Sequence, residues 1–468
     1  MDGGPIHPTE GSHRDPRHPS LPRSNQILYA TGAFGAQVLL QTLTVWIFFV
    51  YTAEGAGDTP PLAPIAAVGL ALTLGRFLDA VHDPIIGYLS DITRSRWGRR
   101  VPFIVVGSPV MALAFVLMWL PPVDGTSWWN AAWLAGSLQF YFLMVTVVGA
   151  PFTGIYPEIA VRQEDRVGVS SWQLVFGAMG AGVALVATGP MVEVMGFPMM
   201  ATIIAVIGAS SRYVGLLGAR GRLHYQPTED FRAGGVARVL ALRLRQTLTN
   251  RNFLYLVGSL LCFEAGLLMV TQAIPYYVVE LLGLRPAMQA PMTAAIFVTA
   301  IVAIPATIVL TRRRGARTVY SWCLIGATIT LPALGLIGLA EGTAGLVHAM
   351  VIIGVIGLPL SGIFILPDAL LAHVVDEDFA VTDSRREAMY FSSRATLEKF
   401  GQALATGLFA LLLGIFGATA EEPLGLHLVG PAAALTTLAG WALFTFGFRP
   451  APAAPPPPPL TARDADVG

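Results

Sequence analysis

Asp79, His82 and Asp83 stand inside an apolar run that begins near residue 63, and Arg76 precedes them by about one turn. On a helix, spacings of three and four put these side chains on one stripe. An ionisable group facing hydrocarbon costs roughly 3 kcal/mol or more, so the stripe must face a cavity or a partner helix. Two carboxylates one turn apart and away from water repel each other. They stay ionised together only with a cation between them; otherwise one takes a proton. The chemistry on offer is reversible binding of Na⁺ or H⁺. A second reading stands beside it: Arg76 and Lys399, the only lysine in the sequence, neutralise Asp79 and Asp83 as internal ion pairs.

The elements that hold this stripe must be membrane helices. The 468 residues are 54% hydrophobic and only 12% charged, whereas soluble proteins carry about a quarter charged residues. Twelve apolar segments follow one another, at about 26–51, 63–90, 101–121, 129–154, 170–192, 197–218, 252–279, 291–311, 318–340, 345–372, 389–416 and 426–448. Each approaches or exceeds the roughly 20 residues a membrane-crossing helix needs. The expected fold is an all-α membrane protein. Its expected parts are a tail (1–24), a six-helix half (25–219), a linker loop (220–250), a second six-helix half (251–449) and a proline-rich tail (450–468). Cys262 and Cys323 lie in apolar runs and read as buried thiols rather than a disulfide framework.

Arginines gather in alternate loops, at Arg94 to Arg100, Arg162 and Arg166, Arg220 to Arg245, Arg312 to Arg317, and Arg385 with Arg386. By the positive-inside rule these loops and both termini are cytoplasmic, in an inner or plasma membrane. Trp128, Trp129 and Trp133 then form an interfacial belt at the opposite face. Tyr156-Pro157-Glu158 is echoed by Leu366-Pro367-Asp368, and Gly98-Arg99-Arg100 by Gly315-Ala316-Arg317. Offsets near 210 residues suggest a duplicated six-helix unit with a path between its halves.

The run from Arg76 to Pro84, then Gly87, then Asp91-Ile92-Thr93-Arg94-Ser95-Arg96-Trp97-Gly98-Arg99-Arg100, resembles the glycoside-pentoside-hexuronide:cation symporters, a branch of the major facilitator superfamily. Asp376 to Asp378, Ser384 to Ser392 and Lys399-Phe400-Gly401 resemble the same family. The resemblance implies the major facilitator fold, with twelve transmembrane helices in two six-helix halves. It also implies symport of a small organic solute, a sugar or glycoside, with H⁺ or Na⁺ by alternating access. It implies a cation site at Asp79, Asp83 and Thr146, with His82 where sodium-using members carry Asn, which raises proton coupling without excluding sodium. It implies a coupling role for Lys399, and Arg76 joins it on the stripe. Where galactoside carriers place charged sugar ligands, this sequence has Gln37, Gly149 and Gln173.

Gln41, Trp46, Gln139, Tyr141, Trp172, Gln272, Tyr276 and Tyr277 are further cavity candidates, with ordinary helix packing as the alternative for each. Asp91 with Arg99 and Arg100 resembles the superfamily's inner-gate motif. Glu158, Asp165 and Arg166 are its expected partners, and Arg385 and Arg386 its counterpart in the second half. Arg394 is expected to snorkel toward the inner surface, Glu398 to face another helix, and Glu264 to act in gating or in a local hydrogen bond. A lysolipid or amphiphile carrier on the same fold, or a non-transporting sensor, are the alternatives. No metal-ligand spacing, phosphate loop or nucleophile–base pair marks an enzyme, no surface marks nucleic-acid binding, and no cofactor beyond the coupling ion is expected. The expected partners are the solute, a monovalent cation and the bilayer, around a monomer.

Overall fold

A computed structural model describes residues 20–54, 60–93, 95–221, 248–340, 342–382 and 387–449, without the side chains of 80–85, 87–92, 381, 382, 387 and 388. Arg385, Arg386 and most of the expected tails and linker lie outside these residues. Among the described residues there are helices and no strand. Before the linker come α1 (Arg23–Thr52), α2 (Ile65–Ile92), α3 (Val101–Leu117), α4 (Trp128–Ile159) and α5 (Gln163–Ala219). After it come α6 (Arg251–Tyr276), α7 (Gln289–Arg314), α8 (Ala316–Thr330), α9 (Gly342–Thr382), α10 (Glu387–Phe416) and α11 (Leu424–Ala442). Among the described residues nine helical runs are long and apolar enough to cross a membrane, and α3 is a shorter apolar helix. A π turn, Tyr277–Leu281, prolongs α6, and a 3-10 turn, Leu331–Leu336, prolongs α8.

The fifth and sixth expected segments are one continuous run, α5, bent at Gly196 with φ 76° and ψ 168°. Only glycine takes that backbone without strain, and Pro198 restarts the helix two residues later. A loop is therefore unnecessary between the two limbs. Along the first limb Gly168 and Gly180 lie against Gln26 and Phe34 of α1; along the second, Gly208 and Gly218 lie against Leu39 and Tyr29. The limbs thus run in opposite senses, both packed on α1.

Helices before the linker pack chiefly on one another, α1 on α5, α2 on α4, and α3 on both α4 and α5. Those after it do the same, α9 on α7 and α8, and α6 on α10 and α11. The two sets meet where α2 lies along α10, α1 touches α6, and α5 touches α7. In lipid, apolar side chains gain little by leaving the solvent, so close backbone approach must hold helices together. Glycines supply it: a Cβ on Gly357 of α9 would meet the Ile296 carbonyl at 2.5 Å, and one on Gly440 of α11 the Ser259 carbonyl at 2.6 Å.

Gly218 tests this packing, because a Cβ there would lie 2.5 Å from the backbone nitrogen of Tyr29, whereas Gly136 has open space around it. Gly218→Ala should lower stability in detergent by about 1–3 kcal/mol, and Gly136→Ala should leave it unchanged or slightly raised. Thermal unfolding of the purified variants reads the difference; equal midpoints would mean that the α1–α5 contact does not depend on close approach.

Candidate functional site

The lie of α2 along α10 positions the acid. Gly69 and Thr73 face Ala410 and Gly407, and Phe77 meets Phe400 with ring centres 5.4 Å apart. This antiparallel register of small residues brings Asp79 against Lys399, whose Nζ is 3.0 Å from Oδ2. Asp79 is buried, and its other oxygen, Oδ1, is shut off from solvent with no hydrogen-bond partner among the described residues. A carboxylate so placed has one acceptor satisfied and one open, which is unusual away from water. The side chains of His82, Asp83 and Asp91 lie outside the described residues, so the acid pair is visible at Asp79 alone. Thr146 of α4 is buried on a neighbouring helix.

Arg76 makes no ion pair among the described residues. Its guanidinium sits 4.9 Å from the centre of the Phe142 ring instead. Nearby, a cavity of ≈ 20 Å³ is bounded by Arg76, Thr44, Leu138, Phe142, Gln272 and Thr406, room for about one water. These residues come from α1, α2, α4, α6 and α10, so the space lies between the two sets of helices. Gln272 donates to the Thr406 hydroxyl at 3.1 Å, while its own carbonyl oxygen is buried without a partner.

Toward the tryptophan-bearing end the two sets are joined directly. The Thr52 and Tyr276 hydroxyls are hydrogen-bonded. Phe49 meets Tyr276 at 5.0 Å and Phe48 meets Phe409 at 5.1 Å, both edge-on. Glu193 accepts from Arg285 and from the Ala287 backbone, each at 3.3 Å. At the arginine-bearing end, Glu158 of α4 accepts from Arg99 and Arg100, both at 2.6 Å, and Arg100 also bonds the Gly154 carbonyl. All of these belong to the first set of helices.

Several expectations change. Asp165 accepts from the Leu21 backbone at 3.0 Å, and Arg166 donates to the Ala160 carbonyl at 2.9 Å, so neither joins Glu158. Arg394 does not snorkel: it donates to Glu398 at 2.6 Å and to Asp368 of α9. Glu398 therefore pairs along its own helix, and Glu264 of α6 is close enough to this group to feel its charges. Tyr276 is 0% exposed in the aromatic contact just described, and Tyr277 donates to the Leu426 carbonyl. Trp46 donates to Thr188 at 2.8 Å. These three are packed because each has its polar atom satisfied among apolar neighbours. Gln37, Gln41 and Gln173 are half-buried, Trp172 is exposed beside Phe176, and Gly149 faces open space.

The family model described as MFS/sugar transport protein matches residues 28–445. The chain belongs to this family. An uncharacterized symporter of Synechocystis sp. is 25% identical, over 92% of this chain and 91% of its own. The human sodium-dependent lysophosphatidylcholine symporter 1 is 23% identical, over 76% of this chain and 70% of its own. The crystal structure of the nucleoside transporter NupG has a TM-score of 0.63 at 13% identity, covering 90% of this chain and 99% of that one. At that identity the likeness shows the fold, which is that of a multi-pass membrane transporter of the major facilitator superfamily.

One charged residue of this transporter escaped the sequence reading. Arg212, in the second limb of α5, is 8% exposed, and its Nε is buried without a partner. Its guanidinium lies 4.8 Å from the centre of the Phe152 ring. Such a contact contributes on the order of 2 kcal/mol when desolvated, against the several kcal/mol of burying a charge. A lone arginine within an apolar run was the available signal, the same one that singled out Asp79.

Removing Lys399 takes from the buried Asp79 its one ion-pair partner among the described residues. Lys399→Met should destabilise the protein by about 3–5 kcal/mol, and adding Asp79→Asn should restore a large part of the loss. Thermal unfolding of the single and double variants measures this; additive losses would mean that the 3.0 Å contact carries no coupling energy.

Proposed function

We propose that the chain moves a small organic solute together with H⁺ or Na⁺ by alternating access, with Asp79 and Asp83 loading the cation. The observation that carries this is the half-satisfied carboxylate of Asp79, held by Lys399 on one oxygen and empty on the other, on a helix where the two sets of helices meet. A proton or a sodium ion arriving at Oδ1 competes with the ammonium for the same negative charge. Loading the cation loosens the Asp79–Lys399 contact, and with it one tie between α2 and α10. That is how ion binding can bias a rearrangement: the cation must interact differently with the two conformations.

The uneven closure of the two ends supports the same reading. Direct contacts between the sets, Thr52 with Tyr276 and Glu193 with Arg285, lie toward the tryptophan-bearing end. The Arg99–Glu158 and Arg100–Glu158 pairs stay within one set. With the arginine loops taken as cytoplasmic, this conformation faces inward. Gln37, Gln41, Trp172 and Gln173 are the solute contacts on this reading, and the open space at Gly149 leaves room beside them. A sugar or glycoside fits amide donors of this kind. The hollow of ≈ 680 Å³ between α7 and α9 is lined by apolar residues such as Val298, Val351 and Leu358, and shares none with the charged centre. It suits lipid chains, not a polar solute.

The purified protein in liposomes, screened against sugars and lysolipids under imposed pH or sodium gradients, tests the proposal. Asp79→Asn should abolish gradient-driven accumulation while solute exchange persists; undiminished accumulation would reject the cation role. His82→Asn should shift ion dependence toward sodium, and an unchanged ion preference counts against proton coupling.

A further inference from the structure

We infer that Arg212 anchors an anionic group, a carboxylate or phosphate oxygen, of the solute that this transporter carries. The inference rests on the transport reading above and adds a substrate class and a contact residue to it. Arg212 sits about two turns from the arginine-bearing end of α5. Among the described residues, the titratable groups that bear on it are Tyr29 and Tyr141. Tyr29 is already committed, stacked on Phe152 at 4.8 Å with its hydroxyl donating to the Phe152 carbonyl at 2.6 Å. Arg212 makes no hydrogen bond or ion pair among the described residues, and the Phe152 ring is its one close partner.

A guanidinium carries five donors in a fixed fork and cannot shed its charge. Set against the Phe152 ring, the Arg212 guanidinium has no acceptor for its Nε among the described residues. Tyr141 is influenced by Arg76 as well, so a half-buried and a buried cation both bear on it. Asp79, the described acid whose charge also reaches Tyr141, is paired with Lys399. Space for a ligand lies close by: a side chain at Gly149 would meet nothing within 4 Å, and Gly149 stands about one turn before Phe152 on the same helix. An oxyanion entering there would find room and a guanidinium donor without a partner among the described residues. Cotransport of an anion with a cation would also keep the moving cargo close to neutral in a low-dielectric interior.

The test places a thiol in this space. Gly149→Cys, in a background with Cys262→Ala and Cys323→Ala, is exposed in proteoliposomes to an anionic sulfonatoethyl and a cationic trimethylammonioethyl methanethiosulfonate. The anionic reagent should react about tenfold faster, as expected for a fixed charge several Å away in a partly wet site. Arg212→Met should remove that preference and Arg212→Lys should keep it, so a folding defect common to both substitutions is recognised. Protection by glucuronate and glucose 6-phosphate but not by glucose is the result expected of a solute anchor. Protection by inorganic phosphate as strong as by glucose 6-phosphate would assign the site to a free oxyanion and overturn the solute role. Lack of modification, lack of charge preference, a preference that survives Arg212→Met, or absence of protection by any anion would overturn the inference itself. Failure of Asp79→Asn to alter coupling would leave this assay untouched, so the two readings fall separately.

Discussion

Near the middle of the bundle, the ion pair of Asp79 with Lys399 ties the helices before the linker to those after it. Its strength is conditional. A buried pair gains Coulomb energy that roughly offsets the cost of taking both charges out of water, so it contributes little net stability. Losing either partner, however, leaves a buried charge that the surroundings cannot solvate. The pair therefore acts as a constraint more than as a brace: α2 and α10 must stay in register, or a compensating cation must take the place of the ammonium. The small residues flanking the pair, Gly69, Thr73 and Gly407, keep the two helices close enough for that constraint to hold.

The rest of the interface is arranged around this contact. From Asp79 toward the tryptophan-bearing end the joints are aromatic or hydrogen-bonded, and they cross between the sets: Phe48 to Phe409, Phe49 to Tyr276, and Glu193 to the turn before α7. At the other end the strong pairs, Glu158 with Arg99 and Arg100, and Arg394 with Asp368 and Glu398, each stay inside one set. Bonds within a set stiffen it and leave it free to move as a body. Bonds between sets fix their relative position. Among the described residues the distribution gives each set internal rigidity at the arginine-bearing end while the connection is made elsewhere, which is compatible with the proposed rocking rearrangement.

Much of this was readable in the sequence, because membrane placement makes charge conspicuous. Asp79 and Lys399 stood out for what they cost in an apolar setting, Glu158 for its echo in Asp368 and its place beside a basic loop, and the helices follow from long apolar runs. The bend at Gly196 was not readable: a glycine in an apolar stretch looks alike whether it sits in a helix or at a positive φ. Side-chain partners also escaped. Asp165 and Arg166 are used by nearby backbone groups, which no spacing rule distinguishes from a gate. The echo between Glu158 and Asp368 is instructive here. Both follow a proline and both hold arginine, yet Glu158 takes its arginines from the turn before α3 and Asp368 takes its own from α10. A motif preserves the need for a basic partner, and tertiary packing decides which helix supplies it.

The choice of lysine at position 399 fits the proposed competition at Asp79. Arginine would grip a carboxylate with two parallel donors, occupying both oxygens at once and leaving no acceptor for an arriving ion. The ammonium of Lys399 is a compact charge on a flexible stem, and of the two Asp79 oxygens it engages Oδ2. Oδ1 then has no partner among the described residues, and that open valence is what the proposed coupling ion would use. The same carboxylate can be tied firmly enough to hold α2 against α10 and loosely enough to be won over by a cation, because the partner on the other helix is a point charge and not a fork.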